Sequence, residues 1–459
     1  MKILFVAHDL SFADHISISY LSAVAQKCGH TTIFCTLEQE TFCKHDLLTQ
    51  VAAIKPDVVA YSINIVGYSR AVALNREARK ISKFIAIMGG PQATFSPETF
   101  AESGMDAYVI GEGEWAFRDF LLRVAAGESY DDIGNMITRN KTNPVRDLIA
   151  NLDDIPFPDR DLILSTTQLG QVPKKTFYAT RGCPFGCAYC ANSYLRQLYR
   201  GKGRYVRRFG VDRLIREIEH VKNNYRMDFV KFGDDVLVMR ADEWLEEFSD
   251  KYAARIGIPF NCFLRIDVID DNVLRLLKRA GCFSVHLSVD STSRFVRENI
   301  LQRKMRSDKI IEKLQLVHKY GIRTWVNFML AAPESTLQDD LASVAMSRDC
   351  KVTYGAYSTT VPTKGTALHK YAVEHEYIDP EFDDDLSGAS NISQLKCFSE
   401  KEKNTRYNIF LLGPILISSP PFLYHLGMFL IQHTKPNRFY KAIRDRFYQY
   451  SIERRIFRV

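Results

Sequence analysis

The sequence predicts an α/β chain: an N-terminal doubly wound (Rossmann- or flavodoxin-like) parallel sheet, then a partial (β/α)6 barrel, then a mostly helical C-terminal region. Three observations predict it. Five short Val/Ile-rich strands alternate with helical patterns over residues 1–130, six more strands alternate with amphipathic helices over residues 173–368, and residues 369–459 read as helix. Residues 131–172 change character. Asn143-Pro144, Asp153-Asp154, Pro156, Pro158 and Asp159-Arg160 punctuate what reads as an inter-domain connection.

A length of 459 residues fits two or three domains better than one core. Hydrophobic residues at 46% and charged residues at 25% are those of a globular chain, not a disordered one. The net charge of +7 permits contact with phosphates or a membrane surface without demanding nucleic acid. No basic run interleaved with aromatics marks a nucleic-acid surface, and no nucleic-acid partner is expected. The opening MKILFVAHDL lacks the apolar core and cleavage site of a signal peptide. With ten scattered cysteines, this predicts reduced thiols in a cytoplasmic protein.

In the first series the strands are KILFVA, TTIFCT, DVVAYSI, FIAIMGG and DAYVIG. Helices are expected over residues 14–28, 44–54 and 68–82, from Ser96, and through Trp115–Leu122. In the second series the strands are TFYAT, DFVKFGDD, FNCFLR, FSVHLSVD, RTWVNFML and YGAYSTTVP. Between them, Val211–Asn224 reads as a helix with Leu214, Ile215, Ile218 and Val221 on one face. A barrel of such units places its chemistry at the carboxyl ends of its strands.

The first barrel strand runs into Thr180-Arg181-Gly182-Cys183-Pro184-Phe185-Gly186-Cys187-Ala188-Tyr189-Cys190. Three thiolates on one short loop can ligate three corners of a [4Fe–4S] cube, and the lack of a fourth local cysteine leaves one iron for an outside ligand. Gly182 and Gly186 permit a tight backbone path, and Pro184 stiffens it. A structural zinc site would prefer four protein ligands, commonly as paired elements, and no second pair lies nearby.

This CxxxCxxC spacing, with Tyr189 before the third cysteine, resembles the radical S-adenosylmethionine (SAM) superfamily. The resemblance implies that Cys183, Cys187 and Cys190 hold the cluster and that SAM chelates the open iron. Electron transfer from a donor such as flavodoxin or ferredoxin would cleave SAM to methionine and a 5′-deoxyadenosyl radical. The likeness extends over residues 174–366. Gly233-Asp234-Asp235 resembles the family's contact to the SAM amino group, although either aspartate could cap the helix that follows. Leu287-Ser288-Val289-Asp290-Ser291 is similar to a Gly-Val-Glu-Ser motif, so Asp290 would reach ribose or substrate with one methylene fewer. Arg303 resembles the basic residue that pairs with the SAM carboxylate; a solvated arginine beside Lys304 and Arg306 is the alternative. Tyr189 completes the expected SAM-binding set.

Two turns decide what the N-terminal sheet binds. Gly89-Gly90-Pro91-Gln92 and Gly111-Glu112-Gly113-Glu114 follow buried strands and open into helices, so their amides can approach a phosphate or nucleotide closely. Ahead of such a barrel, these turns and the linker Leu152–Arg160 resemble the cobalamin-dependent class of radical SAM enzymes. The resemblance implies a cobalamin-binding domain, with Ser62, Asn64, Gly67, Gly89, Gly90, Gly111 and Glu112 as candidate contacts. The Asp-x-His-x-x-Gly string that puts histidine on cobalt in other cobalamin proteins is absent, and His8 and His15 lack its spacing. No GxGxxG follows the first strand, which argues against nicotinamide or flavin.

Residues 407–432 are strongly apolar, but Pro414, Pro420 and Pro421 disfavour a spanning helix. Packed core or tunnel helices are one reading. Peripheral membrane contact, with Lys435, Arg438, Lys441, Arg444 and Arg446 beside the apolar patch, is the other. The leading expectation is a cobalamin-dependent radical SAM methyltransferase acting on an unactivated carbon of a small-molecule or lipid-like substrate. In the route the resemblance implies, one SAM methylates the corrin cobalt, a second is cleaved, and the substrate radical collects the methyl. A radical cyclase or oxidative enzyme with the same cofactors, and a non-catalytic cobalamin or cluster sensor, are the alternatives. The intact cysteine loop and the Gly-Asp-Asp segment argue against the sensor.

Overall fold

The computed structural model describes residues 1–10, 15–305, 309–380, 382 and 387–459, so Arg306 lies outside the described residues. The chain divides into two compact units, residues 1–176 with 198–227, and residues 177–197 with 228–459.

The first unit is built on strands β1 (Lys2–Ala7), β2 (Thr31–Thr36), β3 (Val58–Ser62), β4 (Ile85–Gly89), β5 (Ala107–Val109) and β6 (Met136–Thr138), in the spatial order 2-1-3-4-5-6. Strands β1 to β5 are parallel. Five of the six residues of β1 are buried, as expected of a strand covered on both faces. The direction of winding reverses between β1 and β3, and in this order that reversal leaves a crevice beyond the carboxyl ends of the strands. β6 pairs antiparallel with β5 and comes from the stretch read as a connection.

The helix expected from Ser96 is different. It starts earlier, at Pro91, breaks at Ser96, and resumes as a short turn (Pro97–Thr99) and the helix Phe100–Ser103. Pro97 has no N–H for a continuous ladder, which accounts for the break. The helix Val211–Asn224 has the expected bounds, buries Leu214, Ile215, Ile218 and Val221, and belongs to this unit.

The second unit holds an open six-stranded sheet in sequence order: β7 (Lys174–Phe177), whose last residue opens the unit, β8 (Phe229–Phe232), β9 (Phe260–Phe263), β10 (Cys282–Asp290), β11 (Arg323–Leu330) and β12 (Tyr354–Thr359). Strands β8 to β12 are parallel. The helix Asp271–Ala280 shows how local sequence sets an element. Asp270 accepts from the Val273 amide at 2.8 Å, Gly281 ends the helix at φ 97°, and Val273, Leu274, Leu276, Leu277 and Ala280 are buried. Each large apolar side chain so buried contributes about 1.5–3 kcal/mol.

Three helices complete the unit: Glu400–Leu416, Pro421–His433 and Arg438–Tyr450. The first begins in a reciprocal Ser399–Glu402 capping box and buries Arg406, whose Nε lies 2.6 Å from Asp340 Oδ2. The closing turn, Ser451–Ile456, seals the base of the barrel. Ser284 Oγ donates to the Ile456 carbonyl at 2.7 Å, and the Phe457 ring lies 5.7 Å from Phe229. Among the described residues no helix is long and apolar enough to cross a membrane.

Candidate active site

Gly182, at φ 83°, turns the chain out of the Thr180–Arg181 extended piece into the cysteine loop. Ser193, in the helix Ala191–Leu198, donates to the carbonyls of Cys187 and Cys190 at 2.6 Å each and fastens the loop to that helix. The Ala188 amide donates to Leu301 O, and its carbonyl accepts from the Leu368 amide, both at 2.9 Å. Cys187 is buried and Cys183 and Cys190 are half-buried, all as thiols. Burial pushes the Cys183 thiol up to about 11, and Cys190 moves the same way for the same reason.

N–H donors face these sulfurs. Arg265 Nη1 is 3.8 Å and Arg303 Nη1 3.9 Å from Cys187 Sγ, and Asn192 Nδ2 is 3.8 Å from Cys190 Sγ. Among the described residues no three Cys, His, Asp or Glu side chains converge as ligands of a single metal ion. A cubane makes no such demand, since each of three irons takes one thiolate. Three thiols around a volume, with cationic donors behind them, fit an anionic thiolate-ligated cluster and not a zinc ion.

Asp234 and Asp235, adjacent in sequence, have different surroundings. Asp234 is buried, and its Oδ1 accepts from the Ala179 amide (2.9 Å), the Thr180 amide (2.6 Å) and Thr180 Oγ1 (2.6 Å). That carboxylate ties the end of β8 to the residues leading into the cysteine loop. Among the described residues its Oδ2 has no hydrogen-bond partner, and burial raises the carboxyl to about 7. Asp235 is exposed, close enough to Cys183 and Cys190 to raise both thiols further. Of the two, Asp235 is the one open to a ligand ammonium. Gly233 leaves room for the Tyr178 ring, which a Cβ would meet at 2.7 Å.

Tyr189, Asp290 and Arg303 come together as a buried group. Arg303 Nε lies 2.8 Å from Asp290 Oδ2, Tyr189 donates to the same oxygen at 2.7 Å, and Arg303 Nη1 reaches Tyr189 Oη at 3.1 Å. Arg303 also donates to the Ser288 carbonyl at 2.9 Å, so it is no solvated surface residue. Asp290 has φ 67°, and the β10–β11 register shifts between Ser288 and Asp290. A left-handed aspartate at a bulge is strained backbone that re-aims a side chain at the strand end.

Sequence reasoning missed Arg265, Asn192 and His286. Arg265, just past β9, stacks on Phe185 with its guanidinium 3.5 Å from the ring centroid and pairs with Asp267 at 2.8 Å. Its place after a barrel strand was the available signal. Deeper in the barrel, the rings of Phe263, His286 and Trp325, register partners on β9, β10 and β11, stack at 4.2 and 4.5 Å. His286 is buried, its Nε2 has no hydrogen-bond partner among the described residues, and burial lowers its pKa to about 3.

In the first unit, every residue expected to face cobalamin sits at or just beyond a strand's carboxyl end. Ser62 ends β3, Asn64 Oδ1 accepts from the Gly67 amide at 3.1 Å, and the His8 ring lies where a Gly67 Cβ would be, at 2.6 Å. Gly89 ends β4, and Gly90 (φ 87°) passes so near Ile63 that a Cβ would be 3.1 Å from its carbonyl oxygen. Gly111 (φ 72°) has the Tyr199 hydroxyl 1.9 Å from a notional Cβ. Only glycine fits there. Glu112 is engaged elsewhere: its carboxylate takes Arg207 at 2.6 and 3.1 Å and the Ile149 amide at 3.2 Å. Its backbone, not its side chain, is what the turn can offer a ligand. His8 pairs with Asp9 at 2.8 Å.

Comparison with known proteins agrees with this geometry. Residues 177–344 match the radical SAM superfamily, and residues 4–121 match the B12 binding domain. An uncharacterized methyltransferase, PH0819, of Pyrococcus horikoshii is 24% identical over 376 residues, covering 79% of each chain. The anaerobic magnesium-protoporphyrin IX monomethyl ester cyclase of Rubrivivax gelatinosus is 21% identical, over 72% of this chain and 61% of its own. The cytidylyl-2-hydroxyethylphosphonate methyltransferase of Streptomyces wedmorensis is 18% identical, over 82% of this chain and 80% of its own. The fold is that of the radical SAM methyltransferase TsrM from Kitasatospora setae, solved with cobalamin and a [4Fe–4S] cluster bound (TM-score 0.67, 12% identity, 98% of this chain and 99% of that one). It is also that of the cobalamin-dependent radical enzyme OxsB (TM-score 0.70, 15% identity, 98% of this chain and 75% of that one). The chain belongs to the radical SAM superfamily, in the class that also carries a B12 binding domain, and is a cobalamin-dependent radical SAM enzyme.

Proposed function

We propose that this enzyme transfers a methyl group from SAM to an unactivated carbon of a small, hydrophobic substrate. The observation that carries the reading is one chain holding both a three-thiol loop backed by arginines and a 2-1-3-4-5 sheet with glycine-lined strand ends. The methyltransferase names among its relatives support it. When bound, the cluster supplies the electron that cleaves SAM, and the corrin supplies a methyl carrier.

The chain's own residues do the rest. Cys183, Cys187 and Cys190 hold the cluster, while the N–H groups of Arg265, Arg303 and Asn192 offset thiolate charge. Asp235 receives the SAM ammonium, and Gly233 keeps the strand end low beneath Tyr178. Arg303 meets the SAM carboxylate by sharing a guanidinium already paired with Asp290, and Tyr189 holds that pair in place. The backbone of Gly89, Gly90, Gly111 and Glu112, with Ser62, Asn64 and Gly67, cradles the corrin. An external one-electron donor of the flavodoxin or ferredoxin kind completes the cycle.

The helices Pro421–His433 and Arg438–Tyr450 expose Phe422, Leu423, Leu426, Phe429, Phe439 and Ile443 beside Lys435, Arg438, Lys441 and Arg446. This apolar face with a cationic border supports peripheral contact with an anionic bilayer, which suits a lipid-like substrate. The test of methyl transfer uses SAM with a radiolabelled methyl and anaerobically reconstituted enzyme. Label recovered with the corrin supports the reading, and label remaining wholly in SAM contradicts it.

A further inference from the structure

On the face of the barrel opposite the cysteine loop, at the amino ends of β11 and β12, lies a cavity of about 390 Å3. It is lined by the end of the helix Ile310–Lys319 and the start of β11 (His318, Gly321, Arg323), the end of the helix Leu337–Asp349 and the loop before β12 (Arg348, Lys351, Thr353), the turn after the helix Glu400–Leu416 (Ser418), and Arg455 from the sealing turn. No aspartate or glutamate lines it. Among the described residues, Arg323, Arg348 and Arg455 make no ion pair with a carboxylate.

Neutral groups hold these guanidiniums instead. Arg323 donates to the carbonyls of Arg454 (3.2 Å) and Arg455 (2.9 Å) and lies over the Phe283 ring. Arg348 donates to the carbonyls of Leu416 (3.2 Å) and Ser419 (2.7 Å) and lies over Tyr424. Arg455 donates to Ser418 Oγ at 3.3 Å. Three fixed arginines and a lysine therefore face one volume with no carboxylate among its lining residues. Burial lowers the Arg455 pKa, and the Arg323 charge adds to that effect, so the two cations are near enough to repel. Like charges held together in this way await an anion, and guanidinium forks match phosphate oxygens.

We propose that this cavity is a phosphate-binding site, separate from the catalytic face and independent of the reaction assigned above. The ligand is a phosphate group, either free in solution or on the headgroup of an anionic phospholipid. Tyr424, stacked on Arg348, lies in the first turn of the helix Pro421–His433, which also exposes Phe422 and Phe429. The phosphate site stands whether or not that apolar face meets a bilayer.

The experiment titrates the full-length chain with inorganic phosphate by calorimetry. In parallel it measures co-sedimentation with mixed phosphatidylcholine–phosphatidylglycerol vesicles and with pure phosphatidylcholine vesicles. Lys351→Glu reverses an exposed lining charge, and Lys80→Glu, exposed in the first unit, controls for net charge. Saturable phosphate binding weakened about tenfold or more by Lys351→Glu and not by Lys80→Glu supports the site with a soluble ligand. The same pattern seen only with phosphatidylglycerol vesicles supports it with a lipid headgroup. The proposal is overturned if neither probe binds, if only pure phosphatidylcholine-type apolar adsorption is seen, or if Lys80→Glu weakens binding as much as Lys351→Glu.

Discussion

Asp234 shows how much a single carboxylate oxygen can organise. Its Oδ1 takes three donors from residues 179 and 180, which lead into the cysteine loop. Leaving buried donors unmade costs about 1–3 kcal/mol each. Asp234→Ala should therefore loosen the loop and lower the iron retained per chain after anaerobic purification, whereas Asp234→Asn keeps an acceptor oxygen and most of the iron. Equal iron in the two variants would contradict that role. Arg265 acts at the same scale through charge. It is buried, and its Nη1 faces Cys187 Sγ at 3.8 Å. Removing a cation and an N–H donor makes the reduced, more negative cluster harder to form. Arg265→Leu should shift the cluster midpoint potential downward and slow SAM cleavage by about 10–100-fold. A redox titration followed by electron paramagnetic resonance reads the shift, and an unchanged potential would remove Arg265 from this role.

At the scale of elements, three adjacent strands share the Phe263–His286–Trp325 ring stack. His286 sits between two rings with a pKa lowered to about 3, chiefly by burial. The folded value lies below the unfolded value of about 6.5. The unfolded chain therefore takes up a proton first as pH falls. Stability should be full above about pH 6.5 and fall by up to about 1.4 kcal/mol per pH unit between there and pH 3. Other groups titrate in that window, so the informative comparison is with His286→Phe, which keeps a ring in the stack. Urea unfolding at pH 7.5 and pH 5 should show a smaller acid loss in the variant; the same loss would mean His286 does not titrate as placed. Elements also show what the sequence could reveal. The helix Val211–Asn224 was legible to the residue because its apolar stripe is regular and uninterrupted. β6 was not, because three residues (Met136–Thr138) among turn signals have no period to read. Glu112 looked like a ligand contact from its turn, but its partner Arg207 lies 95 residues away, beyond any local pattern. Arg265 and Asn192 were missed for the same reason: a donor to a sulfur is defined by where the chain folds back.

At the scale of the molecule, one chain carries two kinds of strand-end site. The cysteine spacing announced the cluster on physical grounds, whereas cobalamin came from the resemblance of the Gly89-Gly90 and Gly111–Glu114 turns and the linker to the cobalamin-dependent class. The C-terminal region was less legible. Its apolar run divides into a buried part, residues 407–417, and the mostly exposed helix Pro421–His433, a distinction set by what packs beneath it. The central claim is that the chain binds both cofactors and uses them together. The most direct test is anaerobic purification with iron, sulfide and cobalamin supplied, followed by quantitation of iron and corrin and by assay of 5′-deoxyadenosine in the chain and in Cys187→Ala. The account predicts about four irons and one corrin per chain. It also predicts reductant-dependent 5′-deoxyadenosine that Cys187→Ala abolishes while corrin binding persists. A cluster without corrin, or undiminished SAM cleavage in Cys187→Ala, would contradict it.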